Sequence, residues 1–192
     1  MPERPHDPSD AAAHPLAPHA IGAQELADRE ALRHLVAVYG HAVDRRDYDL
    51  LRTLYHDDGV DDHTPYYCGS ASGFVDWLPG MMAAWQATIH TAQAMVFAID
   101  GDHAQGAITA RAWHLTADGT RQFIAWGRYA DHYERRAGVW RFARRSFILD
   151  FIEDLPAPAG SDFGSAGVGT GRAGADDPVH ARLSSFGRAG PG

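Results

Sequence analysis

Two side chains with acid–base chemistry stand at junctions between predicted elements of the sequence. Asp44 closes a predicted helix, and His90 opens the first of four predicted strands. A histidine exchanges protons near neutral pH, and a carboxylate bonded to one ring nitrogen fixes its tautomer and stabilises the imidazolium. The two residues are therefore candidates for acid–base chemistry. Taken singly, His90 also fits a satisfied core histidine, and Asp44 a solvated helix end.

Two further ionisable residues lie on strand faces made of small or apolar residues. Alternation along a strand sends successive side chains to opposite faces. His90 then shares its face with Ala92, Ala94, Val96 and Ala98, His114 with Ala104, Gly106, Ile108, Ala110 and Ala112, and Arg145 with Val139, Ala143, Phe147 and Leu149. A charge on an apolar face needs a partner or a function. Arg145 is therefore either half of a structural ion pair, with Asp44 as a candidate partner, or a functional cation.

A short segment concentrates side chains that could bind a metal ion. These are His56, Asp57, Asp58, Asp61, Asp62 and His63. The ligand types are mixed and tightly clustered in a predicted loop, which is atypical of a zinc or calcium site. A solvated acidic loop is the simpler interpretation, and no metal site is predicted.

The hydrophobic pattern predicts helices first and strands afterwards. Residues 25–45 carry apolar side chains at helical spacing, Asp47 is a predicted N-cap for a short helix through Leu54, and residues 71–87 form a third helix that Pro79 and Gly80 should kink or split. Residues 56–63 fit a first strand or an extended turn. Long strands follow over 90–99, 103–116, 122–134 and 139–151. This order predicts an α+β fold whose helices pack into the concavity of a mostly antiparallel sheet.

Composition limits the range of functions. The chain has 192 residues, 45% of them hydrophobic, which is enough for one core and one domain over 23–155. A net charge of -8 argues against nucleic-acid binding. No apolar run approaches the roughly 18 residues of a membrane span, and no signal-peptide pattern is present. The single Cys68 excludes an internal disulfide and fits the cytoplasm.

The two ends of the chain are predicted to be disordered tails. Residues 1–22 are rich in proline, alanine and histidine, and residues 156–192 are rich in glycine, alanine and proline. Such compositions bury too little apolar surface to offset the entropy of ordering.

Three segments of the sequence resemble one known family. The run from Tyr39 to Asp49, the tripeptide Thr88-Ile89-His90 and the run from Tyr133 to Phe142 resemble the SnoaL-like family of the nuclear transport factor two-like superfamily. The resemblance covers roughly residues 25–155 and implies a cone-shaped α+β barrel whose sheet wraps around N-terminal helices. It also implies a homodimer or homotrimer.

The resemblance also implies roles for particular residues. In scytalone dehydratase, the bile-acid dehydratases and hexachlorocyclohexane dehydrochlorinase, an Asp at this helix end pairs with a His at this strand start, which become Asp44 and His90. Tyr39, His114 and Arg145 fall at positions that carry further catalytic groups. His63 stands near a catalytic tyrosine of scytalone dehydratase and departs from it. His63, Trp85 and Phe147 are assigned to substrate binding.

These observations predict a cofactor-independent dehydratase or related lyase. The Asp44–His90 pair would remove a carbon-bound proton from a hydrophobic small molecule, expected to be a cyclic hydroxylated or ketonic compound, with loss of water or halide. Tyr39, His114 and Arg145 would donate to the leaving group or to a developing enolate. A double-bond isomerase or polyketide cyclase on the same fold remains an alternative. A non-catalytic protein that binds a small ligand is another.

Overall fold

A computed structural model describes residues 14–157, 171–183 and 185. The helices are α1 (Ala23–Asp44), α2 (Tyr48–Thr53), α3 (Ala71–Met82) and α4 (Pro178–Arg182), with a 3-10 turn at Gly174–Asp176. The strands are β1 (Tyr55–His63), β2 (Tyr67–Ser70), β3 (Trp85–Asp100), β4 (His103–Thr116), β5 (Arg121–Arg136) and β6 (Val139–Pro156). None of the helices in these ranges is long and apolar enough to cross a membrane.

The strands form one curved, unclosed sheet in the order β2-β1-β6-β5-β4-β3. Consecutive strands β3 to β6 pair antiparallel through hairpins, and β1 joins the sheet by pairing parallel to β6. The hairpin between β5 and β6 is a two-residue turn in which Ala137 and Gly138 both have positive φ (50° and 79°), as the twist of a tight hairpin requires. The α+β prediction is confirmed, with a mostly antiparallel sheet.

The core lies between the helices and the concave face of the sheet. The apolar side of α1 contributes Leu32, Leu35, Val36 and Tyr39, all at most 7% exposed. They pack with fully or almost fully buried residues of β3, β4 and β6, namely Phe97, Ile108 and Phe142. Since the buried side of α1 lies against the sheet, the polar residue that ends this helix is carried to the mouth of the concavity.

The region around α3 differs from the sequence prediction. The third helix ends at Met82 rather than at residue 87, and Pro79 lies inside it without splitting it. Pro79 stands close to the helix end, so its missing N–H removes little of the hydrogen-bond ladder. Trp85 and Ala87 pair with Thr116 and Leu115 of β4, and this cross-strand pairing outweighs their helical spacing.

A bulge changes the predicted faces of β3. The register with β4 shifts between Ala92 and Met95. Beyond the bulge Phe97 points into the core, whereas Val96 is 47% exposed. His90 therefore shares the inner face with Ala92 but not with Val96, because the extra residue reverses the alternation.

Part of the predicted C-terminal tail contains local structure and contacts the domain. Arg45, the residue after α1, forms a 2.7 Å ion pair with Asp177. Burial opposes the ionisation of Asp177, but the N–H groups of Arg172 and Val179 and the Arg45 guanidinium more than compensate and lower its pKa to about 2. Residues 171–183 thus lie against the end of α1. Residues 14–22, 156–157 and 185 of the two predicted tails are also described, whereas residues 1–13, 158–170, 184 and 186–192 lie outside the described residues.

Asp28 provides a test of how α1 is held on the sheet. This buried carboxylate accepts hydrogen bonds from Trp140 Nε1 (2.9 Å) and Arg135 Nη1 (2.8 Å). Asp28→Ala should lower the free energy of unfolding by about 1–3 kcal/mol, because the buried indole N–H loses its acceptor. Urea denaturation followed by circular dichroism measures the change.

Glu30→Ala is the matched control on the same helix, since the Glu30 side chain is 75% exposed and lies 4.0 Å from Arg33. We expect it to change the stability by less than about 0.5 kcal/mol. Equal losses in the two variants would contradict the role assigned to Asp28.

Candidate active site

Asp44 and His90 are hydrogen bonded at the end of α1. Asp44 Oδ1 lies 2.7 Å from His90 Nδ1 and also accepts from the Thr88 hydroxyl at 2.8 Å. The other oxygen, Oδ2, accepts from the backbone N–H of His90 at 2.8 Å. Gly40 allows this close approach, because a Cβ there would lie 3.3 Å from the carbonyl oxygen of His90. The helix end and the strand are thereby joined through one carboxylate.

This contact selects the tautomer of His90. An ionised carboxylate only accepts hydrogen bonds, so Nδ1 carries the proton that points to Asp44, and Nε2 of the neutral ring keeps a lone pair. The two side chains are largely buried, with 16% of His90 and 11% of Asp44 exposed. The arrangement is that of a general base whose orientation is fixed by a carboxylate.

Two cavities meet at the His90 ring. Both are lined by His90 and Tyr39. The larger, about 260 Å³, is also lined by Met95, Tyr129 and Arg145. The smaller, about 100 Å³, is lined by His63, Trp85 and His114 together with apolar residues of α3. Five of the predicted site residues therefore line the smaller cavity, namely Tyr39, His63, Trp85, His90 and His114, and two of them, Tyr39 and His90, also line the larger one.

Arg145 has a different partner from the one considered in the sequence. It is fully buried and forms a bidentate pair with Asp131 of β5, Nε to Oδ1 at 2.9 Å and Nη2 to Oδ2 at 2.7 Å. Asp44 is therefore not its partner. The alternation of β6 did not show this, because Asp131 and Arg145 are brought opposite one another by the pairing of β5 with β6.

The third guanidinium nitrogen of Arg145 has a different environment. Nη1 is buried and has no hydrogen-bond partner among the described residues. The guanidinium carbon lies 4.0–4.1 Å from the ring centroids of Tyr39, Tyr129 and Phe142. Burial would lower the pKa of Arg145, but Asp131 outweighs it and holds the pKa well above its ordinary value. Arg145 thus places a permanent charge and one free donor beside the larger cavity.

The tyrosines that surround this cation are proton donors at neutral pH. Burial raises the pKa of Tyr129 to about 12 and the pKa of Tyr39 well above its ordinary value. Tyr39 is thus both a core residue, 3% exposed, and part of the cavity wall. Core packing and a place in the site, the two roles considered for Tyr39, are therefore compatible.

His114 lies beside the His90 ring on the inner face of β4. Its ring centroid is 5.5 Å from that of His90 and 4.9 Å from that of Trp85. Burial, and then the proximity of His90, lower the pKa of His114 to about 4. His114 is consequently a neutral ring at pH 7, able to donate or accept a hydrogen bond but not to supply a positive charge.

The remaining predicted binding residues, His63, Phe147 and Trp85, lie in two separate groups of aromatic rings. His63 stacks between Phe74 and Phe147, with ring centroids 5.1 and 5.7 Å away. Trp85 packs on His114 and Phe123 at the entrance to β3. Of these rings, His63, Phe74, Trp85 and His114 line the smaller cavity, whereas Phe147 and Phe123 do not.

The acidic segment considered as a metal site is strand β1, and its possible ligand side chains do not point to one common position. Its side chains have separate partners: His56 meets the Glu134 carbonyl, Asp58 pairs with Arg136, Asp62 with Arg144, and Asp61 with Tyr55 and His63. Alternation along the strand separates them onto two faces. Asp61 is fully buried, and sequence analysis did not distinguish it from its solvated neighbours.

A larger cavity, about 650 Å³, lies at the other end of β3. It is lined by residues near the N-terminal segment and the far strand ends, including His19, Arg29 and His103. Neither Asp44 nor His90 lines it. The volume of a cavity therefore does not locate the candidate site in this protein, because the hydrogen-bonded His90 lines the two smaller cavities.

The fold and its site define a class of protein. N-terminal helices that lie in a curved six-stranded sheet, with polar residues around the enclosed cavity, are the arrangement of the nuclear transport factor two-like superfamily. A profile of the SnoaL-like domain matches residues 24–146. The chain belongs to the SnoaL-like family.

Solved structures from bacteria share this fold. A scytalone dehydratase-like protein from Novosphingobium aromaticivorans gives a TM-score of 0.63 at 19% identity, covering 70% of this chain and 95% of its own. The type 3 hexachlorocyclohexane dehydrochlorinase from Novosphingobium barchaimii gives a TM-score of 0.63 at 22% identity, covering 68% of this chain and 91% of its own. A protein from Kribbella flavida gives a TM-score of 0.62 at 24% identity, covering 67% of this chain and 94% of its own. A search of curated protein sequences finds no match.

The lowered pKa of His114 predicts a pH dependence of stability. Between pH 6.5 and 4 the unfolded chain binds a proton at His114 that the folded chain does not, so stability falls as the pH falls. Between pH 7.5 and pH 5, the titration of His114 should lower the free energy of unfolding by about 1–2 kcal/mol. His114→Gln should abolish that share of the loss, as measured by urea denaturation at both pH values.

The exposed His103 of the same strand supplies the control. His103→Gln should keep the wild-type pH dependence. A His114→Gln variant that loses as much stability on acidification as the wild type would contradict the burial of a neutral ring.

Proposed function

We propose that the protein is a dehydratase or related lyase that removes a carbon-bound proton from a hydrophobic, cyclic hydroxylated or ketonic small molecule. The observation that carries the proposal is the 2.7 Å contact between Asp44 and His90 at the meeting point of the two cavities. A histidine whose Nδ1 is held by a carboxylate presents Nε2 as a base. The proposed chemistry needs only side chains of the chain itself.

The neighbours of His90 suit the charge that would develop on the substrate. Loss of a proton beside a carbonyl group places negative charge on the oxygen, which hydrogen-bond donors stabilise. Tyr39, Tyr129 and Arg145 line the larger cavity and can serve as such donors, and Arg145 Nη1 has no other partner among the described residues. Because Arg145 is already locked to Asp131, its donor needs little reorganisation when the charge forms.

Two relatives of the same fold carry names that denote elimination. One is scytalone dehydratase-like, and the other is a hexachlorocyclohexane dehydrochlorinase. Their identity to this chain, 19% and 22%, supports the fold and leaves the substrate open. The class of reaction is therefore proposed from the oriented base and the donors around it.

An isomerase or a cyclase is the second candidate. The specific observation is the pair of protonated tyrosines beside Arg145, since these donors would stabilise an enolate whether or not a group departs. All these reactions share the proton transfer to His90. They differ in the fate of the enolate.

Variants of the pair test the proposed function. The probe is 3-hydroxycyclohexanone, whose dehydration to the enone is followed by ultraviolet absorbance. His90→Gln should lower kcat/KM by about 10²–10⁴-fold because it removes the base. Asp44→Asn should also lower kcat/KM while leaving the fold intact, since the amide cannot stabilise the imidazolium.

The exposed His132 of β5 supplies the matched control, and His132→Gln should retain wild-type turnover. Proton exchange at the α-carbons of cyclohexanone in D2O, followed by NMR, reports the base alone. A wild-type protein that neither dehydrates the hydroxyketone nor exchanges these protons would overturn the proposal in favour of a non-catalytic binding protein.

We also propose that two or three copies associate through the sheet. Apolar residues of β3 and β6 are 43–55% exposed: Ile89, Val96, Ile148, Leu149, Phe151 and Ile152. The charged side chains beside them are already neutralised within the chain, Arg128 by Asp150 and Arg121 by Asp154. Such a surface suits a second copy, because it is apolar and carries no unpaired charge from these four residues.

Light scattering coupled to size-exclusion chromatography should give two or three times the mass of the chain. Ile152→Glu should shift the protein towards the monomer, because it places a charge in the apolar surface. Leu16→Glu, at a residue 48% exposed outside the sheet, is the control and should not shift it. A monomeric wild type would contradict this proposal.

A further inference from the structure

A second aspartate–histidine pair lies on β1. Asp61 and His63 are two residues apart and so share one face of the strand. Asp61 Oδ1 lies 2.5 Å from His63 Nδ1, and Asp61 Oδ2 accepts the Tyr55 hydroxyl at 2.6 Å. Asp61 is fully buried. The contact repeats the geometry of the Asp44–His90 pair on a different element.

His63 is held in a fixed orientation. Phe74 and Phe147 stack on its two faces, with ring planes within 13° of parallel. Since Nδ1 is bonded to Asp61, Nε2 is the nitrogen left for another partner, and among the described residues none is hydrogen bonded to it. The side chain is 20% exposed and lines the cavity of about 100 Å³ that His90 and His114 also line.

Asp61 is placed to stabilise positive charge on the His63 ring. Arg145 and Asp131 neutralise one another through two hydrogen bonds. Asp61 is a second carboxylate without solvent contact, and its direct partners are the Tyr55 hydroxyl and the His63 ring. A carboxylate bonded to one ring nitrogen stabilises positive charge on an imidazole, so Asp61 can support a proton on His63 Nε2.

We propose that His63 is the general acid of the reaction and that Asp61 positions it. The inference rests on the proposed function. His90 Nε2 takes the carbon-bound proton, and the electrons of that C–H bond form the new double bond as the C–O bond breaks. The departing hydroxyl takes the proton from His63 Nε2 and leaves as water. His90 ends protonated and His63 neutral, and exchange with solvent restores both.

Leaving groups separate the acid from the base. Hydroxide is a poor leaving group that needs a proton, whereas chloride departs without one. Loss of the acid should therefore slow dehydration of 3-hydroxycyclohexanone and spare elimination from 3-chlorocyclohexanone. Loss of the base should slow both.

The experiment compares the wild type with His63→Gln, Asp61→Asn, His90→Gln and the control His132→Gln. His63→Gln should lower kcat/KM for the hydroxyketone by about 10²-fold or more, and for the chloroketone by less than about 10-fold after subtraction of the uncatalysed rate. Its deuterium exchange into cyclohexanone should persist, because His90 is still present to take the proton. His90→Gln should lose all three activities.

Asp61→Asn tests the positioning role. The amide oxygen still accepts from His63 Nδ1 but carries no charge, so the variant should lose hydroxyketone activity and keep both chloroketone elimination and deuterium exchange. Thermal unfolding checks that each variant is folded. Should Asp61→Asn fail to fold, His63→Gln decides alone.

The outcomes are distinguishable. Equal losses with both leaving groups, or a loss of deuterium exchange in folded His63→Gln, would overturn the assignment of His63 while the proposed function stands. A wild type without elimination and without exchange would remove the proposed function and this inference together.

Discussion

A guanidinium without solvent contact organises the interior of this protein. Arg145 is 0% exposed and Asp131 is 2% exposed, and each lies on a neighbouring strand of the sheet. A buried ion costs several kcal/mol unless it is paired with good geometry, so the two strands must hold this register for the fold to be stable. Tyr39 of α1 closes over the guanidinium at 4.1 Å. The ion pair therefore fixes the position of the helix as well as the strands.

The active-site geometry follows from that packing. Tyr39 and Asp44 are on the same helix, so fixing Tyr39 over Arg145 fixes where α1 ends. At that end Asp44 meets both the backbone and the ring of His90. The small Gly40 lets α1 approach β3 closely enough for these contacts. The helix and strands that bury the Arg145–Asp131 pair therefore also orient the His90 ring.

The sequence predicted those features of the fold and the candidate site that depend on local residue patterns. The α+β order, the end of α1 near Asp44 and the inward face of β4 with His114 are confirmed by the structure. The pairing of Asp44 with His90 came from the resemblance to the SnoaL-like family, because local pattern places each residue at an element end but does not show which residue it meets. The predicted inner face of β3 was right only as far as the bulge after Ala92.

What the sequence did not predict depends on register and on burial. Asp131 meets Arg145 across β5 and β6, whose pairing shifts at two bulges that no alternation pattern reveals. Strand β1 was hard to identify because its acidic residues hide the usual apolar alternation, so Asp61 was grouped with its solvated neighbours. The partner of an ionisable residue is a tertiary property, even where the residue itself stands out.

The three histidines around the smaller cavity show why partners matter more than residue type. His90 is bonded to Asp44, His63 is bonded to Asp61, and His114 meets His90 and Trp85, with its pKa lowered to about 4. Environments that separate chemically identical groups in this way assign them different tasks in proton transfer. A cavity that only holds an apolar molecule gains nothing from two imidazoles fixed by carboxylates that are largely or fully removed from solvent, because such carboxylates are expensive to desolvate. Their joint presence supports the proposal of acid–base chemistry over that of a cavity that only binds a ligand.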